Sequence, residues 1–189
     1  MNLAVINGKP LIAEVTDILA SIVDQTLVIA DSDESARKYL KVVNAKVSFV
    51  VHDERSPSEL KAALTGFSKA SGKYSLLISS DAPFISKDVL LLLFELCTNR
   101  NAAVPRYPDQ RIEALHAVYC TKAALETAES GCSEGREDLP SLVERMQGVR
   151  YVSTLVIEQL DPGLRSFSRV RTPLDLKRVS AKSNSRKKK

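Results

Sequence analysis

The chain has 189 residues, of which 44% are hydrophobic and 26% charged, with a net charge of +4. That is the length and composition of one soluble globular domain with a full core. The terminal run Arg186-Lys187-Lys188-Lys189 supplies as much positive charge as the whole excess, so the high pI belongs to a tail. Trp is absent, aromatics make up 5% and no basic stripe is interleaved with them, which argues against a nucleic-acid-binding protein. Cys97, Cys120 and Cys132 are odd in number, far apart and without a C-x-x-C spacing; they read as reduced thiols, not as a disulfide framework or a zinc site. Met1 to Asn7 lacks the basic start and apolar length of a signal peptide, and Glu95 ends the apolar run Val89 to Phe94 well short of a membrane span. A soluble, cytoplasmic protein is expected.

Leu3 to Ile6 reads as a first strand, turned at once by Asn7-Gly8. Pro10 suits a first helical turn, and Leu11, Ile12, Val15, Ile18, Leu19, Ile22 and Val23 continue at helical spacing, predicting an amphipathic helix over 10–23. Thr26 to Ala30 is a second strand. Asp31 or Ser32 caps a helix to about Lys41, with Ala36, Tyr39 and Leu40 inward. Val47 to Val51 is a third strand, followed by the charged loop His52-Asp53-Glu54-Arg55. Ser56, Pro57 and Glu59 form a helix start of capping-box type, and that helix runs to about Ala70. Residues 74–79 form a fourth strand, Ser86 caps an apolar helix ending near Asn99, and Ala102 to Pro105 is a brief fifth strand. The alternation of strand and helix predicts a mostly parallel sheet with helices on both faces. Beyond it, Leu115 to Tyr119 and Arg150 to Ser153 read as strands, Lys122 to Glu129 and Leu139 to Met146 as helices, and Thr172 with Pro173 opens a last helix. Residues 1–180 read as one domain, and 181–189 as a basic, disordered tail.

Site chemistry centres on Ser79-Ser80-Asp81-Ala82-Pro83-Phe84. An acid at the carboxyl end of a buried strand is where an open α/β sheet places ligand contacts. A lone carboxylate shared with phosphate oxygens and waters is a common way to hold Mg²⁺; the competing reading is that Asp81 caps the following turn. Asp53 occupies the equivalent place after the third strand, or is merely solvated. Gly8 and Lys9 alone make no phosphate cradle. His116 reads as a hydrogen-bonded structural residue within a strand and His52 as a solvated loop residue, and neither comes with a nucleophile elbow.

Five ordered segments resemble the molybdenum cofactor guanylyltransferases, the MobA family of nucleotidyltransferases. Gly8-Lys9-Pro10-Leu11-Ile12 is similar to that family's G-K-P-L-I. Asp53 to Leu64 resembles its D-x(n)-G-P-L-x-G-x-x-x-A-L with the glycines lost. Ser80 to Phe84 resembles its C-D-M-P-F, Glu113 to Tyr119 its E-P-L-H-A-L-Y, and Arg171 to Leu176 its N-T-P-E-D-L. The resemblance implies a Rossmann-like three-layer α/β fold and transfer of GMP from GTP to molybdopterin, with Mg²⁺ as cofactor and pyrophosphate released. It implies Asp81 as metal ligand and catalytic residue, and Asp53, Asp81, Ala30 and Asp31 as nucleotide-site positions. Molybdoenzyme-maturation proteins are implied as further partners. A MobA-like binding module without turnover, for molybdopterin or a partner enzyme, and a guanylyltransferase of cobamide synthesis are the alternatives. The family's glycine-rich L-A-G-G-x-S-x-R-M-G stretch has no counterpart. With Met1 to Ile6 read as the first strand, its absence reads as an internal deletion. Losing one oxyanion-type donor costs about 3–4 kcal/mol of transition-state stabilisation, so such a loop would need a replacement. Glu59, at the altered glycine stretch, would repel a nucleotide phosphate.

Overall fold

The structure is a computed structural model and describes residues 3–6, 8–43, 46–52, 58–172 and 174–177. Two strands fall where the sequence puts them: β3 (Thr26–Ala30) and β4 (Val47–Val51), which pair in parallel from Thr26↔Val47 to Ala30↔Val51. Both are β-branched, apolar runs between polar turns. The start differs. β1 (Val5–Ile6) pairs antiparallel with β2 (Lys9–Pro10) as a tight hairpin, with Gly8 at φ 84° in the turn. Leu3 to Ile6 is therefore no strand of the parallel sheet, and Pro10 lies in β2, ahead of the helix. α1 (Leu11–Leu19) ends short of the predicted residue 23.

In α2 (Asp33–Leu40) Ser32 accepts the capping bond from Ser35 N, and of the expected inward residues only Ala36 is buried; Leu40 is exposed. α3 (Glu59–Lys69) is capped by Ser58, since its Oγ accepts from Lys61 N. The expected cap at Ser56 and first-turn Pro57 lie outside the described residues. Ser58 Oγ also donates to Glu137 O at 2.7 Å, tying this helix start to a segment 79 residues away. β5 (Tyr74–Leu77) leads through the Asp81 loop to α4 (Lys87–Cys97), capped by Ser86 as predicted.

β6 (Ala102–Arg106) and β7 (Ala117–Cys120) follow, then α5 (Thr121–Ser133), α6 (Leu139–Arg145) and β8 (Val149–Ser153). α7 (Thr154–Leu160), which the sequence pattern did not signal, and a single 3₁₀ turn at Arg165–Phe167 complete the fold. The last predicted helix is present at 174–177, where Thr172 Oγ1 accepts from Asp175 N at 3.1 Å. The second sheet has the order β5-β7-β6-β8: β7 runs antiparallel to both neighbours, and β6 and β8 are parallel.

Helices cover both faces. On one, Leu60, Ala63 and Phe67 of α3 pack with Ala124 and Ala128 of α5 and Leu142 of α6. On the other, Val89, Leu93 and Cys97 of α4 pack against Ala103, Val118 and Val152. Cys97 is core, as expected, and burial pushes its thiol up to about 11. Among the described residues no helix is long and apolar enough to cross a membrane.

Ser58→Ala removes both the α3 cap and the donor to Glu137 O. Urea unfolding is expected to show a loss of about 1–2 kcal/mol with no change of secondary structure by circular dichroism.

Candidate active site

Asp81 sits in the loop that follows β5 and is 8% exposed. It caps no helix, since Ser86 caps α4. Burying a carboxylate requires partners, and two are at hand. Ser79 Oγ donates to Oδ1, and Arg169 Nε donates to the same oxygen at 3.0 Å. Oδ2 takes no hydrogen bond from the described residues.

Arg169 reaches Asp81 because a C-terminal segment straps across the end of β5. Val170, fully buried, donates its N–H to Asp81 O at 2.9 Å. The buried Asp161 takes Ser166 N at 2.7 Å, and Ser166 Oγ in turn accepts from Ser86 N at 2.9 Å. Strap, loop and the start of α4 are thereby one hydrogen-bonded unit. Arg165 stacks on Phe84 at 4.2 Å from the ring centroid.

Two further ionisable groups belong to this neighbourhood. His116 is not within a strand: it precedes β7, 1% exposed, with its ring edge-to-face on Phe167 at 5.6 Å. The expected hydrogen bond is missing, because neither ring nitrogen has a partner among the described residues. Burial, reinforced by the Arg169 charge and opposed by Asp81, lowers its pKa from 6.5 to about 4, so the ring is neutral at pH 7. Glu113 accepts from Tyr107 Oη at 3.1 Å, and desolvation raises its pKa against that bond and the Arg111, Arg169 and Arg171 charges. Burial and Glu113 push the Tyr107 phenol up to about 12.

The other sequence candidates scatter. Ala30 is buried at the end of β3, with its carbonyl taken by His52 N at 2.8 Å, and Asp31 follows it, exposed. Asp53 lies outside the described residues. His52 is not merely solvated. Thr65 Oγ1 gives its only proton to Lys61 O, so His52 Nδ1 donates to Thr65 at 2.9 Å. Lys9 pairs with Asp17 and Glu14 on α1, which raises its pKa, chiefly through the Asp17 hydrogen bond. Glu59 is exposed at the start of α3. Sequence reasoning passed over Arg169, whose partner lies 88 residues away and leaves no local signal.

The described residues contain no cluster of three or more His, Cys, Asp or Glu side chains able to hold a metal between them. At the end of β5, Asp81 offers a buried carboxylate with a spare oxygen, which suits a hard cation that takes most of its ligands from phosphate and water. A cavity of about 950 Å³ lies elsewhere, between β3 and β5, and Asp81 does not line it.

Solved structures share this architecture. Molybdopterin-guanine dinucleotide biosynthesis protein A from Archaeoglobus fulgidus superposes with a TM-score of 0.80 at 21% identity, over 97% of this chain and 90% of that one. The 4-diphosphocytidyl-2C-methyl-D-erythritol synthase from Anaerococcus prevotii gives 0.73 at 14% identity, over 95% and 88%. The fold is that of the α/β nucleotidyltransferases. In sequence, the probable molybdenum cofactor guanylyltransferase of Natronomonas pharaonis is 30% identical over 91% of this chain and 84% of its own length. That of Methanosarcina acetivorans is 28% identical over 89% and 77%. The profile of the MobA-like NTP transferase domain matches residues 2–149, and the chain belongs to that family.

The His116 shift has a consequence for stability. A histidine whose folded pKa is depressed binds fewer protons in the folded state between pH 6.5 and about 4. Its contribution is complete above pH 6.5 and is lost as pH falls toward 4. Relative to His116→Leu, the native chain is expected to lose roughly 3 kcal/mol more across that window, read as the difference between urea-unfolding curves at pH 7 and pH 4.

Proposed function

We propose that this protein transfers GMP from GTP to the phosphate of molybdopterin, releasing pyrophosphate and forming a guanine dinucleotide cofactor. The observation that carries the reading is the buried Asp81 at the end of β5, with Oδ2 taking no hydrogen bond from the described residues, in a chain of the MobA-like NTP transferase family. The names of the relatives supply the nucleotide and the acceptor.

In this reading Asp81 Oδ2 is the protein ligand of Mg²⁺, and Ser79 and Arg169 hold the carboxylate from its other oxygen. Bound there, Mg²⁺ would supply charge neutralisation for the triphosphate. Arg169 stands beside the same carboxylate as a fixed cation, suited to phosphate oxygens. His116 stays neutral, so it adds no positive charge and works as a polar, non-titrating wall at pH 7. The remaining demand is positional: the acceptor phosphate must approach the α-phosphorus in line with the departing pyrophosphate. Asp31, after β3, and Asp53, after β4, are assigned to the nucleotide side of the crevice, with Ala30 backing them. Residues 1–180 are taken as the single catalytic domain, working in the cytoplasm.

The test is pyrophosphate release by the purified chain with molybdopterin, Mg²⁺ and each of the four nucleoside triphosphates. GTP is expected to support release, and Asp81→Asn to lower it by at least about 100-fold while the far-ultraviolet spectrum is unchanged. Absence of both saturable GTP binding and pyrophosphate release at millimolar nucleotide would overturn the assignment.

A second expectation concerns the ion pair. Arg169→Lys keeps the charge but loses the planar guanidinium, and is expected to raise the KM for GTP and lower kcat each by about 10-fold or less. Arg169→Ala leaves Asp81 without its counter-ion and is expected to lose about 100-fold in kcat/KM. Steady-state kinetics on both variants decide this.

A further inference from the structure

The connection between β6 and β7 brings a second carboxylate to the neighbourhood of Asp81. β5 and β6 are both antiparallel to β7, so they run the same way and end on the same side of the sheet. The Asp81 loop leaves the end of β5, and residues 107–116 leave the end of β6. Leu77, the last residue of β5, pairs with Ala117, the first of β7, so the two connections start beside each other. The C-terminal strap joins them. Phe167 packs edge to face on Tyr107 at 6.4 Å and on His116 at 5.6 Å.

This connection carries two acids. Asp109 is exposed and paired with Arg111 at 2.7 Å, whereas Glu113 is half-buried. The backbone around Glu113 is fixed: its N–H donates to Pro105 O at 3.0 Å, and its carbonyl accepts from His116 N at 3.1 Å. Its Oε1 accepts from Tyr107 Oη at 3.1 Å. Tyr107 is held in turn, since its N–H donates to Arg111 O at 2.8 Å and the Arg111 guanidinium lies 4.5 Å from its ring centroid. Glu113 Oε2 takes no hydrogen bond from the described residues. The carboxylate is therefore pinned through one oxygen, and both oxygens keep lone pairs to spare. The Arg169 guanidinium that donates to Asp81 also acts through its charge on Glu113 and on His116. His116, buried in the same connection, has no partner for either ring nitrogen among the described residues.

Resting on the transfer to molybdopterin proposed above, we propose that Glu113 reads the acceptor. Its carboxylate accepts from the ring N–H and the amino group of a 2-amino-4-oxo-pyrimidine edge, and Arg169 takes the phosphate at the acceptor's other end. Two parallel N–H donors match a carboxylate as the two donors of a guanidinium do. The acceptor carries a donor edge and an anion, and the protein offers a carboxylate and a guanidinium in that order toward Asp81.

Guanine presents the same donor edge, so the place of Glu113 in the sheet decides between the two sources. Ala30 and Asp31, assigned to the nucleotide, follow β3, which lies across the cavity from β5. Glu113 lies on the other side of β5, where the sheet continues as β7 and β6. Asp81, at the end of β5, stands between them. Nucleotide and acceptor then approach the metal ligand from opposite sides, which suits in-line displacement.

Fluorescence titration with pterin (2-amino-4-oxopteridine) and with lumazine, its 2,4-dioxo analogue without the amino group, needs no turnover. The native chain is expected to bind pterin at least about 10-fold more tightly than lumazine. Glu113→Gln keeps an acceptor for Tyr107 Oη but turns an amide donor toward the ligand. It is expected to weaken pterin by at least about 10-fold and to abolish the preference over lumazine. Tyr107→Phe, which unpins Oε1, is expected to weaken pterin by about 3-fold, and it supplies the second measurement if Glu113→Gln does not fold. In steady-state kinetics Glu113→Gln is expected to raise the KM for molybdopterin by at least about 10-fold with the KM for GTP unchanged. A structural role alone would weaken pterin and lumazine together and move both KM values. The proposal is overturned by that result, by equal binding of pterin and lumazine to the native chain, or by undiminished pterin binding in Glu113→Gln. It is equally overturned if Glu113→Gln loses the preference for GTP over inosine triphosphate, which lacks the 2-amino group, because Glu113 would then read the guanine. Absence of turnover with GTP would overturn the transfer itself, and the two pteridine titrations would still decide the role of Glu113.

Discussion

The structure around the site depends on keeping one carboxylate out of water. Asp81 is tolerated there because Ser79 and Arg169 both donate to Oδ1, and an uncompensated buried charge would be far more costly. The consequences spread from that requirement. Arg169 can be at hand only if the chain returns across the end of β5 after α7. The bonds of Val170 to Asp81, of Ser166 to Asp161 and of Ser86 to Ser166 fix that return path. A charge compensation 88 residues apart in sequence thus fastens the C-terminal strap to the β5 loop and to the start of α4.

The same arrangement decides which groups near Asp81 can change charge. His116 is deep enough, and close enough to Arg169, to be neutral at pH 7, while Glu113 is pulled toward its protonated form by burial and away from it by the arginines. Asp81 is therefore held by the Arg169 guanidinium, with the neutral His116 alongside. Both bonds to Asp81 fall on one oxygen, so the pairing with Arg169 leaves a coordination position on the other. A metal and Arg169 need not compete for the same lone pairs, and both could face a phosphate at once.

What could be read from the sequence was what is local. β3 and β4 were legible to the residue because β-branched runs stand between polar turns, and the Ser86 cap because its signal lies within one helical turn. The opening was misread through a choice between two local signals. Pro10 was given to the first helical turn, while Asn7-Gly8, the strongest short hairpin signal, was treated as a turn into that helix. The structure sides with the hairpin. His116 was drawn into a strand by the apolar run around it. Tyr119 Oη bonding to Ala114 O, and Glu113 N to Pro105 O, instead shape a turn there. α7 escaped because Leu155, Val156 and Leu160 are exposed, which blurs its amphipathic period. Arg169 could not have been found from spacing, because nothing nearby in sequence says which distant acid an arginine will meet.

The family resemblance located Asp81, and geometry then gave it partners that the motif does not contain. The cavity shows the complementary limit. Leu27, Val28 and Ile29, and Leu76, Leu77 and Ile78, are the near-continuous apolar runs of strands buried on both faces and paired on both edges. In the sequence such runs simply predict interior strands, and that prediction holds for position and type. In the structure the same residues are half-buried, and each strand has one paired neighbour among the described residues. Helices on both sides and the Gln25–Ser71 clasp hold these side chains around an open cleft.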